Sequence, residues 1–182
     1  IDLIIVYPDE GDTNGERGIS NFDYFTRLGK GLINAVGDLT EDGQVFRVDM
    51  RLRPNGDSGP LVCSFDMLEN YFIGQGREWE RYAWIKARPL TGNGAGERHA
   101  ELEAIRRPFV FRKYLDFGAI NAMRDLHVQI RREVAKKDMG ANVKLGPGGI
   151  REIEFIAQVF QLIRGGREPL LQIKPTLAVL AR

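Results

Sequence analysis

The chain is poor in the residues that build covalent or soft-metal chemistry: its 182 residues include one cysteine, Cys63, and two histidines, His99 and His127. A single cysteine excludes an internal disulfide. Its apolar setting, Leu61-Val62-Cys63, predicts a small buried thiol in a reducing, cytoplasmic compartment. Two histidines and one cysteine also leave no zinc constellation. Both histidines fall on predicted helices, which removes the serine-protease reading of Gly56-Asp57-Ser58-Gly59-Pro60. No run approaches the roughly 20 apolar residues that a membrane crossing requires, and no basic segment with a cleavage site opens the chain, so no membrane partner is expected. An excess of charge is lacking too. With 26 Lys and Arg against 25 Asp and Glu, and the bases spread along the chain, nucleic acid is disfavoured as a partner.

What is present is a 43% apolar composition, enough to bury a core in one large domain or two small ones. Residue 1 already lies within an apolar strand pattern, with no cap, turn or initiator methionine before it, as expected of a piece of a longer protein. Ile1 to Tyr7 reads as a strand buried on both faces, yet it carries Asp2. Ser20 with Asp23 forms a capping box ahead of Phe22, Phe25, Leu28, Leu32, Ile33 and Val36 at helical spacing, ending near Gly37. Val45 to Pro54 alternates with a period of two, so as a strand it sets Asp49, Arg51 and Arg53 on one face.

Ser64 is a candidate N-cap for a helix carrying Met67, Leu68, Tyr71 and Phe72, and Arg77 to Arg88 resumes helical character up to Pro89. Thr91 to Gly96 marks a boundary, giving domains 1–95 and 96–182. Beyond it the pattern is helical. A helix runs from about Glu97 to Arg107, stopping before Pro108, and Phe109 to Leu115 is a connector. Asp116 caps a helix with Ile120, Met123, His127, Ile130 and Val134 on one stripe, where His127 reads as a satisfied core or boundary residue. Arg151 to Ile163, apolar at Ile153, Ile156, Val159, Phe160 and Ile163, forms a last helix ended by Gly165-Gly166.

Three groups of residues carry candidate chemistry. If the two N-terminal strands lie side by side, Asp2 and Asp49 converge on a divalent cation, and Arg51 and Arg53 are placed to meet anionic oxygens. Taken singly, Asp49 reads as the salt-bridge partner of Arg51 or Arg53 and Asp2 as the cap of a buried edge; the joint pattern of strand acid, helix, then strand acid with arginines points to a metal site. Lys86 and Arg88 point at a phosphate or belong to a solvated helix face. Lys144, Gly148 and Gly149, ahead of the helix at Ile150, form an anion cradle or a tight interhelical turn, since both need the glycines. Glu152 and Glu154, two apart on a helix, face different sides, which leaves Glu152 as a dipole-favoured acid of the first turn.

The joint pattern resembles the polymerase-beta-like nucleotidyltransferase superfamily. More closely, Asp2-Leu3-Ile4, Arg47 to Pro54, Gly59-Pro60-Leu61-Val62, Trp79-Glu80-Arg81, Lys86-Ala87-Arg88 and Gly148 to Phe155 are similar to the glutamine synthetase adenylyltransferase/adenylyl-removing family. Arg107 to Tyr114 and Gly165 to Pro169 resemble its N-terminal, adenylyl-removing half. The resemblance implies an α+β fold, with a small mixed sheet and flanking helices followed by an all-helical bundle. It makes Asp2 and Asp49 the second and third metal acids for two Mg2+ ions, with the first acid falling just before residue 1. It further implies removal of AMP from a tyrosine of glutamine synthetase by inorganic phosphate, releasing ADP, with the PII signal protein as a regulatory partner. The adenylyl-transferring half, a PII uridylyltransferase and a non-catalytic module binding PII or glutamine synthetase are the alternatives.

Overall fold

Tyr7, fully buried, ends a short strand because its ring stacks on Phe25 with centroids 4.9 Å apart, and this contact ties the first strand to the first helix. The computed structural model describes residues 1–90, 96–114, 118, 121, 124–125, 127–129, 131–132 and 142–182. It is a mixed α/β chain that divides into two compact units, Ile1–Gln75 and Gly76–Arg182. The expected boundary at 91–95 lies outside the described residues, as do Asp116, Ile120, Met123, Ile130 and Val134 of the expected helical stripe. Among the described residues no helix is long and apolar enough to cross a membrane.

In the first unit, β1 (Ile5–Tyr7) pairs in parallel with β2 (Val62–Ser64), Ile5 opposite Val62 and Tyr7 opposite Ser64. Between them comes α1 (Asn21–Gly37), whose Ser20 cap accepts the Asp23 amide at 3.0 Å, as the capping box predicts. The helix meets the sheet through Gly29, where a Cβ would stand 3.0 Å from Ile5 Cδ1 and 3.4 Å from Val62 Cγ1. This close approach turns Phe22, Phe25, Thr26, Ile33 and Val36 inward and leaves Leu28 and Leu32 exposed, so the expected core stripe is corrected by the width of one glycine. Ser64 caps α2 (Phe65–Gly74), accepting the Met67 amide, and that helix buries Phe65, Leu68, Tyr71 and Phe72. Cys63 is buried, and desolvation pushes its thiol up to about 12.

The expected strand at Val45 to Pro54 is not one. Only Asp49 makes a ladder contact; past it the Asp49 carboxylate accepts the Arg51 amide, Arg53 N–H reaches Met50 O and Gly56 N–H reaches Arg53 O, which curls the chain into turns. Asn55 and Gly56 adopt positive φ there, at 61° and 55°. The second strand comes instead from Val62–Ser64, a run too short to carry a period.

The second unit is held by buried arginines. Among the described residues its elements include α3 (Glu78–Trp84), α4 (Gly96–Val110), α5 (Ile150–Arg164) and α6 (Thr176–Leu180). The α3 helix begins where Glu80 accepts the Arg77 amide at 2.8 Å. Arg81, 3% exposed, donates from Nε to Phe109 O and from Nη2 to Val110 O, both at 3.0 Å, and from Nη1 to Glu78. It thereby caps the carbonyl end of α4. That cap, and the burial of Phe109, Val110 and Phe111, explain why α4 continues through Pro108 instead of stopping before it. The α5 helix ends at Gly165-Gly166 as expected, because Phe111 and the Arg112 backbone press against both positions. Its buried positions are Ala157, Gln158, Gln161 and Leu162, while Ile153, Ile156 and Phe160 are exposed, a shift of the expected apolar face.

Two outcomes are expected. Arg81→Ala strips two helix-end carbonyls and Glu78 of their shared donor in a buried setting, and should lower unfolding free energy by about 3 kcal/mol in urea titration. Cys63, its pKa raised and so protonated at neutral pH, should resist iodoacetamide at pH 8 in the native protein and react readily in urea.

Candidate functional site

Two backbone hydrogen bonds join the opening residues to the middle of the first unit: Leu3 N–H to Asp49 O at 2.9 Å, and Asp49 N–H to Ile1 O at 2.8 Å. They make Asp2 and Asp49 direct neighbours in a parallel bridge. Residues opposite one another in a ladder direct their side chains to the same face, so the two acids share one side.

The Asp49 carboxylate is held firmly. Oδ1 accepts the Arg51 amide at 2.9 Å and Nε at 3.0 Å, and Oδ2 accepts Nη2 at 2.5 Å. These bonds keep the carboxyl well below the usual carboxylate range, so it is ionised at neutral pH. The Arg51 guanidinium, pushed up chiefly by Asp49, also feels Asp57 and Asp2, and therefore stands among all three acids. Arg53 is largely covered, donating from Nη1 to Met50 O at 2.8 Å and to Asp57 at 3.4 Å, while its buried Nε has no partner among the described residues. Gly59 seals this loop, since a side chain there would run into the Pro54 carbonyl.

Among the described residues no group of three or more His, Cys, Asp or Glu is arranged to hold a metal. The first unit thus offers two hard oxygen donors on one face, the chemistry that Mg2+ prefers, and a cation there competes with Arg51 for Asp49.

The remaining sequence candidates belong to the second unit. Lys86 Nζ donates to Lys174 O and, at 2.8 Å, to Thr176 Oγ1, so it fastens the approach to α6. Arg88 is exposed. In the glycine-rich loop the amides of Lys144 and Leu145 bond Asn142 Oδ1, those of Gly146 and Gly149 bond Asn142 O and Gly146 O, and Ile150 N–H reaches Val143 O. The amide of Gly148, at φ 71°, goes to Glu152 Oε2 at 2.8 Å. The loop's amides are spent on closing the loop, and a Cβ on Gly149 would stand 2.6 Å from Val143 O. Lys144 itself has an exposed side chain.

Glu152 does more than favour a helix dipole: besides Gly148 it takes Arg131 Nε at 3.0 Å and lies 3.6 Å from His127 Nε2. The Gly148 amide, first, and then the Arg131 guanidinium hold its carboxyl below its ordinary value. His127 stacks on Phe155 at 4.8 Å. Sequence reasoning missed the roles of Asn142 and Arg81. Only Asn142 had a legible signal, an Asx residue at the mouth of a Gly-Pro turn.

Comparison with known proteins follows this geometry. A family model described as glutamate-ammonia ligase adenylyltransferase matches residues 1–104, and one described as GlnD PII-uridylyltransferase matches residues 120–181. Proteins named bifunctional glutamine synthetase adenylyltransferase/adenylyl-removing enzyme are similar along the whole chain. That of Aromatoleum aromaticum is 76% identical over 181 residues, covering 100% of this chain and 19% of that protein. Those of Chromobacterium violaceum and Nitrosomonas europaea are 65% and 60% identical over 182 residues, covering 100% of this chain and 20% of each. The chain spans about a fifth of the length of the curated relatives it matches. On the strength of a family match that takes in both Asp2 and Asp49, the chain belongs to the glutamate-ammonia ligase adenylyltransferase family.

Proposed function

We propose that this chain is part of the adenylyl-removing half of such a bifunctional enzyme, built on a polymerase-beta-like core, and that Asp2 and Asp49 hold Mg2+ for it. The observation that carries the reading is their pairing across one bridge, with Arg51 and Arg53 on the loop that follows. The substrate is a glutamine synthetase tyrosine carrying AMP. An oxygen of inorganic phosphate attacks the α-phosphorus, the bond from phosphorus to the tyrosine oxygen breaks, the phenolate takes up a proton, and ADP leaves.

Bound Mg2+ supplies neutralisation of the phosphoryl oxygens. The residues of this chain do the rest. Asp49, kept ionised by Arg51, offers a charge that does not have to be created on binding, and Asp2 adds a second from the adjacent segment. Arg51 is able to leave Asp49 for an anionic oxygen because its side chain is 69% exposed. Arg53, held by Met50 O, is proposed to add positive charge beside the same oxygens. Arg88 and Lys144 are proposed as further anion contacts in the second unit, where Lys86, expected from the sequence to be one, is committed to Lys174 O and Thr176 Oγ1, and Gly148 and Gly149 contribute the turn. The resemblance of Arg107 to Tyr114 and of Gly165 to Pro169 to the removing half favours that half over the transferring one, and PII remains the proposed regulatory partner.

In the intact enzyme, Asp49→Asn should cut ADP release from adenylylated glutamine synthetase by at least about a hundredfold with an unchanged circular dichroism spectrum. ADP release at the normal rate would refute the assignment, and loss of AMP transfer from ATP in the same variant would point to the transferring half. Arg51→Ala should raise the Asp49 carboxyl toward an ordinary value of about 3.9, read by carbon NMR on acidification, because the shift it removes is a lowering.

A further inference from the structure

Asp49 has no free edge to offer a cation while Arg51 stays in place. A carboxylate has two oxygens with about four lone-pair positions between them. Here Oδ1 takes the Arg51 amide at 2.9 Å and Nε at 3.0 Å, and Oδ2 takes Nε at 3.0 Å and Nη2 at 2.5 Å. All of these contacts but the amide come from one guanidinium, and the Asp49 side chain is only 20% exposed. A divalent ion therefore reaches Asp49 by taking the guanidinium's place.

One part of this hold is easily released and the other is kept. The Arg51 side chain is 69% exposed and donates to no other residue among those described, so water replaces the lost partner when it lets go, and exposed ion pairs are weak. The amide contact belongs to the local turn and does not depend on the side chain, so Asp49 keeps its orientation as the guanidinium departs. Arg53, two residues on, behaves in the opposite way, its side chain 12% exposed and its Nη1 bonded to Met50 O at 2.8 Å. One arginine of the pair is fixed and the other exchangeable. Once released, Arg51 stays tethered two residues from the acid, which keeps a forked cation at high local concentration beside the place it left.

We propose that Arg51 couples the binding of divalent cation and phosphate at this site: paired with Asp49 it holds off both, and displaced from Asp49 by the cation it becomes a ligand for the phosphate oxyanion. This coupling rests on Asp49 being the metal acid of the proposed function, and it adds the sequence in which the site assembles. Before the exchange, an arriving phosphate meets a satisfied ion pair next to a second carboxylate, Asp2. After it, the same oxyanion meets a free fork suited to two of its oxygens. Because the two ligands depend on one side chain, each raises the other's affinity by the same factor, and the site is guarded against loading with either one alone.

The test is calorimetry on the intact enzyme with Mg2+ alone, inorganic phosphate alone, and phosphate at saturating Mg2+, each read as the difference from Asp49→Asn so that only this site is counted. Wild type should bind phosphate at least about tenfold more tightly with Mg2+ than without it. Arg51→Lys keeps the charge and loses the fork, and Arg51→Ala loses both. Each should bind Mg2+ alone severalfold more tightly than wild type, because the clamp on Asp49 is gone. Arg51→Ala should also shrink the Mg2+ enhancement of phosphate binding at least about threefold, what is left being the direct attraction between the two ligands. The lysine variant separates exchange from simple repulsion between cations, which would leave its Mg2+ affinity at the wild-type value. That value in Arg51→Lys, or an undiminished enhancement in Arg51→Ala, would overturn the coupling and leave Asp49 a metal acid. Unchanged Mg2+ binding in Asp49→Asn would instead remove the metal reading itself, and the coupling with it.

Discussion

Everything proposed for the first unit depends on one rung of ladder. Two backbone bonds, from Leu3 and Asp49, set a residue near the chain's beginning beside one from the middle of the unit, and so bring two carboxylates together. Two acids on one face repel one another unless a cation intervenes, and the structure supplies Arg51 for that purpose. The side chain is tethered two residues away in sequence, mobile at its exposed end, and fully charged at any physiological pH. Such a group keeps Asp49 ionised and remains free to be exchanged for another positive charge.

The second unit uses its cations differently. Arg81 and Arg106 are nearly inaccessible and spend most of their donors on carbonyl groups at the ends of helices and on glutamates one turn away. They act as fasteners, carrying hydrogen bonds that an apolar core cannot provide. Lys86 joins them as a tie between chain segments.

How much of this was legible follows from the kind of force involved. The α1 start, the Ser64 cap and the end of α5 at Gly165 were readable because capping is local, a matter of two or three neighbouring residues. The adjacency of Asp2 and Asp49 followed from two apolar patterns and a family likeness. The strand expected over Val45 to Pro54 was not there, because alternation says nothing of an aspartate that accepts an amide two residues on and turns the chain. The strand at Val62 was missed for want of length, and Leu28 and Leu32 were assigned inward because periodicity cannot foresee a glycine letting a helix settle on its narrow side. The buried arginines were illegible for a simpler reason: a charged residue in a helix is solvated by default, and only tertiary packing says otherwise.

The register of β1 carries a further consequence. Ile5 and Tyr7 meet α1, and alternation puts Asp2 with Ile4 and Val6 on the opposite surface of the same segment. An inserted residue between Asp2 and Ile5 would preserve the pairing of Ile5 with Val62 and yet rotate the acid beneath the helix. The two residues that separate the Asp2 carboxylate from the sheet, Leu3 and Ile4, thus carry a parity constraint.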